Sequence, residues 1–227
     1  MLDQALTFGD GLDALRWTLA ALSLLASLGY LAIVDRSPSL WRTGFKTASI
    51  ALWVPLPLLG LHVEGTSALA LAALAAAFLF SSLGDYFLAL KGDAKNFPRG
   101  LASFLVAHIF YLIVLAPLVS APAGWQLWGI ATVAILAIAS LAWLWPKLGS
   151  FRAPVILYMA VISLMAVAAF SVPLPWLGIG ALLFVFSDVV IAVDKFRMPV
   201  PRRGHVVWIT YYGGQALIAA SLIGLLR

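Results

Sequence analysis

Apolar residues along this chain run in long, nearly unbroken blocks, and polar residues gather in the short intervals between them. Eight blocks stand out, at roughly 13–34, 43–61, 66–90, 100–119, 124–145, 153–172, 174–194 and 205–226. At about 1.5 Å of rise per helical residue, each is long enough for a hydrocarbon core of about 30 Å. The intervals are too short for a soluble domain, and there is no linker or low-complexity tract. The pattern predicts an all-α, polytopic membrane helical bundle with eight transmembrane helices, forming one domain over residues 1–227. Pro55 and Pro57 predict a kink in the second block.

Composition supports the membrane reading. The chain is 63% hydrophobic and 10% charged, with a mean hydropathy of +1.05, against about 45–50% and about 25% in a soluble domain. Lipid-exposed backbone must satisfy its own polar groups, so these blocks read as helices. The absence of cysteine excludes disulfides, thiolate metal sites and a cysteine nucleophile. His62, His108 and His205 are too scattered to suggest zinc.

The net charge of +5 is no nucleic-acid signal, because the cations sit in the short connections. Twelve of the fourteen lie at the ends of, or between, blocks one and two, three and four, five and six, and seven and eight. These are Arg36, Arg42, Lys46; Lys91, Lys95, Arg99; Lys147, Arg152; and Lys195, Arg197, Arg202, Arg203. Arg16 and Arg227 fall on the other side. The bias places the four basic connections in the cytoplasm and both termini on the non-cytoplasmic side. The acidic start (Asp3, Asp10, Asp13) is unlike the basic leader of a cleavable signal peptide. A multi-pass protein results, with a bacterial inner membrane as the expected location.

With that orientation, depth can be read. Asp85 and Asp188 each lie about one and a half turns before the cytoplasmic end of their blocks. His108 and Tyr111 share a helix face two turns into block four. Tyr211, Tyr212 and Gln215 occupy similar depth in block eight, and Lys46 begins block two. Polar side chains inside the blocks thus form one cytoplasmic-side layer, while the outer half is Leu, Ala, Val and Ile.

A carboxylate in hydrocarbon is costly and reads as a functional site with a partner. Two carboxylates in one low-dielectric pocket do not both ionise cheaply, so one serves as acid and the other as base. Two other readings stay open: that Asp85 pairs with Lys46 or His108, and Asp188 caps or hydrogen-bonds a neighbour, only to hold helices together; and a proton or ion pathway. Lys46 is an interfacial anchor, a phosphate contact or a partner for Asp85. His108 is a proton carrier, an orienting donor or a packed histidine. Tyr111, Tyr158, Tyr211 and Tyr212 are expected as interfacial or interhelical contacts. Gln215 needs a partner, Gly213-Gly214 permits a close approach, and Asp194, Lys195 and Arg197 read as the solvated end of block seven.

Four stretches carry a resemblance: Gly84-Asp85, Phe186-Ser187-Asp188, Ala107-His108-Ile109-Phe110-Tyr111, and Tyr211-Tyr212-Gly213-Gly214-Gln215-Ala216-Leu217-Ile218. Together, in this order, they resemble the YhhN-type lysoplasmalogenase family over roughly 40–222. Lys46 falls where that family tends to have Lys-Pro, and Thr47 replaces the proline here. The resemblance implies an eight-span hydrolase that cleaves the vinyl ether bond of lysoplasmalogens. Its products would be a fatty aldehyde and glycerophospho-ethanolamine or glycerophosphocholine.

Such chemistry needs a proton donor and a carboxylate close together in a dry pocket. Asp85 and Asp188 are the expected acid–base pair, with Lys46, His108, Tyr111, Tyr211 and Gln215 binding or orienting. Lys46, Arg99 and Arg202 are candidates for the headgroup phosphate. The expected partners are a lysophospholipid and membrane lipid, with no nucleic acid and no known protein partner, and the scheme requires no metal or cofactor. Two alternatives are a proton-coupled or lipid-related transporter and an intramembrane aspartyl protease. For the latter, Ser82-Leu83-Gly84-Asp85 approximates a Gly-x-Gly-Asp signature, but no Tyr-Asp partner is present.

Overall fold

The computed structural model describes residues 2–226, less the side chains of 93 and 94. Arg227, counted above among the cations, lies outside the described residues. Ten α-helices follow in order: α1 (Leu2–Leu6), α2 (Asp13–Ile33), α3 (Leu40–Ala51), α4 (Pro55–Leu58), α5 (Ala68–Ala89), α6 (Asp93–Leu115), α7 (Trp125–Leu144), α8 (Arg152–Phe170), α9 (Pro175–Phe196) and α10 (Arg203–Leu226). Among the described residues there is no strand. Seven helices among the described residues, α2 and α5 to α10, are long and apolar enough to cross a membrane. Exposed tryptophans mark both ends of α7, Trp125 and Trp128 at one and Trp143 just before the other. Such residues favour the two membrane–water interfaces.

The block expected over 43–61 forms two short helices, α3 and α4, with turns between and after them. Pro55 and Pro57 lack the N–H that a continuous α-helix would use. The neighbouring N–H groups turn to tighter bonds. Trp53 N donates to the Ile50 carbonyl (3.0 Å), Val54 N to Ala51 (3.1 Å) and Gly60 N to Pro57 (3.0 Å). The turns around Pro55 are therefore made without stranding these backbone amides. α6 also differs from expectation. It starts at Asp93, seven residues before the apolar block, and carries Pro98 inside it.

The chain divides into two compact units, Met1–Val114 with Ala219–Arg227, and Leu115–Ile218. In the first, α3 packs against α2 and α5, and α4 against α5. Ser67 caps α5 by accepting from Ala70 N (3.3 Å). The alanine-rich face of α5 is buried: Ala70, Ala73, Ala75 and Ala77 are 0–7% exposed, and such small residues let helices approach closely. In the second unit, α7, α8 and α9 pack on one another around Leu144, Leu148, Val155 and Val193. Gln126 on α7 donates to the Phe170 carbonyl at 2.8 Å, closing the end of α8.

Candidate functional site

In the first unit, Ser82 Oγ on α5 donates to the Thr47 carbonyl on α3 at 3.0 Å. That register brings the preceding residue of α3 to the acid of α5: Lys46 Nζ lies 3.0 Å from Asp85 Oδ1, with the side chains 11% and 1% exposed. Buried charges persist when paired, because each removes the other's desolvation penalty in part. Of the readings open for Lys46, the structure selects the partner of Asp85. α3 is itself tied to α2, where Ser23 Oγ donates to the Ser49 carbonyl at 2.5 Å.

Gly84, beside Asp85, has a structural cause. A Cβ there would fall 2.6 Å from the ring of Phe104 on α6, and one on Gly100 of α6 would fall 2.6 Å from Leu88. The two glycines let α5 and α6 touch. α6 then carries His108 and Tyr111, both fully buried, with ring centroids 6.5 Å apart. Tyr111 meets Phe78 edge-on at 6.0 Å, and Phe78 lies 6.3 Å from Trp53.

Three more buried polar atoms here, Thr47 Oγ1, Ser81 Oγ and Trp53 Nε1, have no hydrogen-bond partner among the described residues. Thr47 follows Lys46 in sequence, and Ser81 precedes Asp85 by one turn. An unmet buried hydroxyl costs about 1–3 kcal/mol. These unmet groups, on the helices that carry the ion pair or next to them, are more than packing alone calls for.

In the second unit, Tyr158 on α8 donates its hydroxyl to Asp188 Oδ2 on α9 at 2.5 Å. Tyr158 is 6% exposed and Asp188 is half-buried. Ser187 does not compete, since its hydroxyl donates to the Phe184 carbonyl one turn back (2.8 Å). On α10, the buried Gln215 Nε2 reaches Tyr211 Oη at 3.4 Å. The Tyr211 ring sits edge-on to Phe184 of α9 at 5.1 Å. Gly214 makes a helix–helix contact, because a Cβ on it would fall 2.7 Å from the Gly180 carbonyl oxygen. Gly213 faces open space. Counted along their own helices, Asp85 stands four residues before Ala89, the end of α5, and Asp188 eight before Phe196, the end of α9.

The sequence-derived residues thus divide. Lys46, Asp85, His108, Tyr111 and Arg99 belong to the first unit, and Asp188, Tyr211, Gln215 and Arg202 to the second. Arg99 and Arg202 are both exposed. Arg202 has a left-handed backbone, with φ of 51°. It sits in a turn clamped by Asp194, which accepts from Val200 N (3.0 Å) and pairs with Arg203 (3.1 Å). Asp194 is therefore more than the solvated end of its helix.

Sequence reasoning passed over a second polar cluster in the first unit. Arg16 is fully buried, bonded to Asp10 and Asp13 and to the Leu59 carbonyl at 2.8 Å, with Phe8 under its guanidinium at 3.8 Å. His62 adds a 3.0 Å contact to Asp10. The Arg16 guanidinium holds the Asp10 carboxyl well below the usual carboxylate range, against the opposing effect of burial. The spacing Asp10, Asp13, Arg16 was the available signal. Tyr158, expected as an interfacial or interhelical contact, proves to be interhelical, with Asp188 as the partner that sequence did not name. Its signal was a single phenol in an otherwise apolar helical stripe.

The YhhN family model matches residues 41–222. Among curated relatives, "Lysoplasmalogenase" of Mycobacterium bovis is 31% identical over 151 residues, covering 64% of this chain and 58% of the relative. "Lysoplasmalogenase TMEM86A" of Bos taurus is 35% identical over 159 residues, covering 64% and 62%. "Lysoplasmalogenase TMEM86B" of Mus musculus is 30% identical over 221 residues, covering 95% and 91%. The matched stretch spans about three-fifths of the length of the first two of these relatives. No solved structure matches the chain.

Proposed function

This chain belongs to the YhhN family, and on that footing we propose that it is a membrane hydrolase of lysoplasmalogens. The single observation that carries the reading is the buried Lys46–Asp85 pair, in a chain whose relatives are named lysoplasmalogenase. The reaction adds water across the vinyl ether. Its products are a fatty aldehyde and glycerophospho-ethanolamine or glycerophosphocholine.

Proton delivery to the β-carbon of the vinyl ether gives an oxocarbenium ion. Water adds to the cationic carbon and loses a proton, and the hemiacetal collapses to aldehyde and alcohol. An acid and a carboxylate suffice for these steps, with water otherwise kept away. Asp85 and Asp188 are the residues assigned to these roles, in the cytoplasmic half of the membrane. Lys46 sets the charge of Asp85, while His108, Tyr111, Tyr211 and Gln215 orient water and the ether oxygen. Since Lys46 is engaged by Asp85, the headgroup phosphate falls to Arg99 and Arg202.

The topology belongs to the same reading. Residues 43–61 count as an eighth crossing, supported by the backbone bonds made on either side of Pro55 and Pro57. Both termini then lie on the non-cytoplasmic side, in a bacterial inner membrane. The test is incubation of detergent-purified protein with lysoplasmalogen and detection of aldehyde. Asp85→Asn and Asp188→Asn should each abolish release while eluting as folded protein. Full turnover in both variants, or no aldehyde from the unaltered protein, would overturn the proposal. Uptake of intact lipid by proteoliposomes without hydrolysis would favour a transporter.

A further inference from the structure

The buried face of α8 is formed by Val155, Tyr158, Ile162, Met165, Ala166, Ala169 and Phe170. Every side chain in that stripe is apolar except for one hydroxyl. Phenylalanine would fill the place of Tyr158 equally well if packing were the whole requirement. The hydroxyl has a definite use, since it donates to Oδ2 of Asp188 at 2.5 Å. This is the short end of the range for an O–H donor on a carboxylate. Both residues stand on helices of one unit that pack directly together, so the bond is built into the α8–α9 interface.

A carboxyl group turns easily about the bond joining it to Cβ. A proton transfer to or from carbon needs one oxygen held along a fixed line, because misalignment by a fraction of an ångström erodes the rate. A phenol anchored in a packed helix face and bonded to Oδ2 restricts the rotation of that carboxyl group. The same logic orients the base in other acid–base sites, where a third group holds the second. We infer that Tyr158 is the positioning residue of Asp188, holding its carboxyl in the orientation used for proton transfer to or from the lipid substrate. This rests on the reading that Asp188 takes part in vinyl ether hydrolysis.

The experiment compares Tyr158→Phe, Asp188→Asn and the double variant with the unaltered full chain, using lysoplasmalogen in detergent micelles. Tyr158→Phe should lower kcat by about 10- to 100-fold, the worth of one hydrogen bond to a charged group. KM should stay within about twofold while kcat falls, which separates positioning from substrate binding, and the unfolding temperature should fall by only the few degrees that one lost hydrogen bond costs. The double variant should be no slower than Asp188→Asn alone, because a residue that acts only through Asp188 has nothing left to do. If Tyr158→Phe does not fold, 3,5-difluorotyrosine at position 158 keeps the ring and alters only the hydroxyl; kcat should then change with KM constant. An inactive Asp188→Asn beside a Tyr158→Phe of full kcat overturns this inference alone. A fully active Asp188→Asn overturns the underlying reading, and the inference with it.

Discussion

Lys46 Nζ and Asp85 Oδ1 lie 3.0 Å apart between two helices, with both side chains nearly removed from solvent. Such a pair is asymmetric in its response to mutation. Losing one partner strands the other, which costs about 3–5 kcal/mol, whereas replacing both by apolar residues is often close to neutral. Lys46→Met should therefore lower unfolding stability in detergent by about 3–5 kcal/mol, and Lys46→Met with Asp85→Leu should recover most of that loss. Both variants should be inactive on lysoplasmalogen. Thermal unfolding followed by circular dichroism decides it. Equal stability of the single variant and the unaltered protein would mean that the pair holds nothing together.

Two adjacent glycines give opposite expectations. A Cβ on Gly214 would fall 2.7 Å from the Gly180 carbonyl oxygen, a backbone atom that cannot step aside, while Gly213 faces open space. Gly214→Ala should force α9 and α10 apart and cost about 1–3 kcal/mol. Gly213→Ala should stabilise by up to about 1 kcal/mol, because alanine is the better helix former. Parallel unfolding curves test the pair, and similar effects at both positions would refute the contact.

How much of this was legible in the sequence follows from what lipid imposes. The long crossings were readable because hydrocarbon admits only self-satisfied backbone and apolar side chains, so composition alone marks α2 and α5 to α10. The polar opening of α6, Asp93 to Arg99, was invisible to that criterion because it carries no apolar signal. Pro55 and Pro57 announced the bend between α3 and α4. That Asp85 needs a partner was equally legible from its cost. The choice of Lys46 over His108 was not, since it depends on the register of α3 against α5, fixed by contacts such as Ser82 to the Thr47 carbonyl. Tyr158 was hidden for the same reason. A phenol in an apolar stripe can be seen in sequence, but the rotation of α8 that aims it at Asp188 is set by packing.

Arg202 should couple stability to substrate affinity in opposite directions. It adopts a left-handed backbone, φ 51°, which costs a side-chain-bearing residue about 1–2 kcal/mol. Arg202→Gly should relieve that cost, for a net gain of up to about 1 kcal/mol after the extra freedom of glycine in the unfolded chain is counted. If the guanidinium meets the headgroup phosphate, the same change raises KM about three- to tenfold with kcat unaltered, as does Arg99→Ala. Steady-state kinetics and unfolding on the same preparation test both halves. Unchanged KM in both variants would remove them from headgroup binding.

The cluster around Arg16 predicts a distinct acid limb of stability. Asp10 is held below the usual carboxylate range, chiefly by its hydrogen bond from Arg16. Its folded-state proton affinity is therefore lower than in the unfolded chain. Stability from this group is present above the unfolded value of about 4 and is lost as pH falls below it toward the folded value. Unfolding temperature should decline progressively from about pH 5 downward in the unaltered protein. In Asp10→Asn the plateau should start lower and the decline should be shallower, because that carboxyl no longer exchanges a proton. Arg16→Met should be more damaging near neutral pH, since Asp10 and Asp13 then lose the cation they share. An Asp10→Asn profile parallel to the parent across pH 3–6 would show that this carboxyl contributes nothing to the limb.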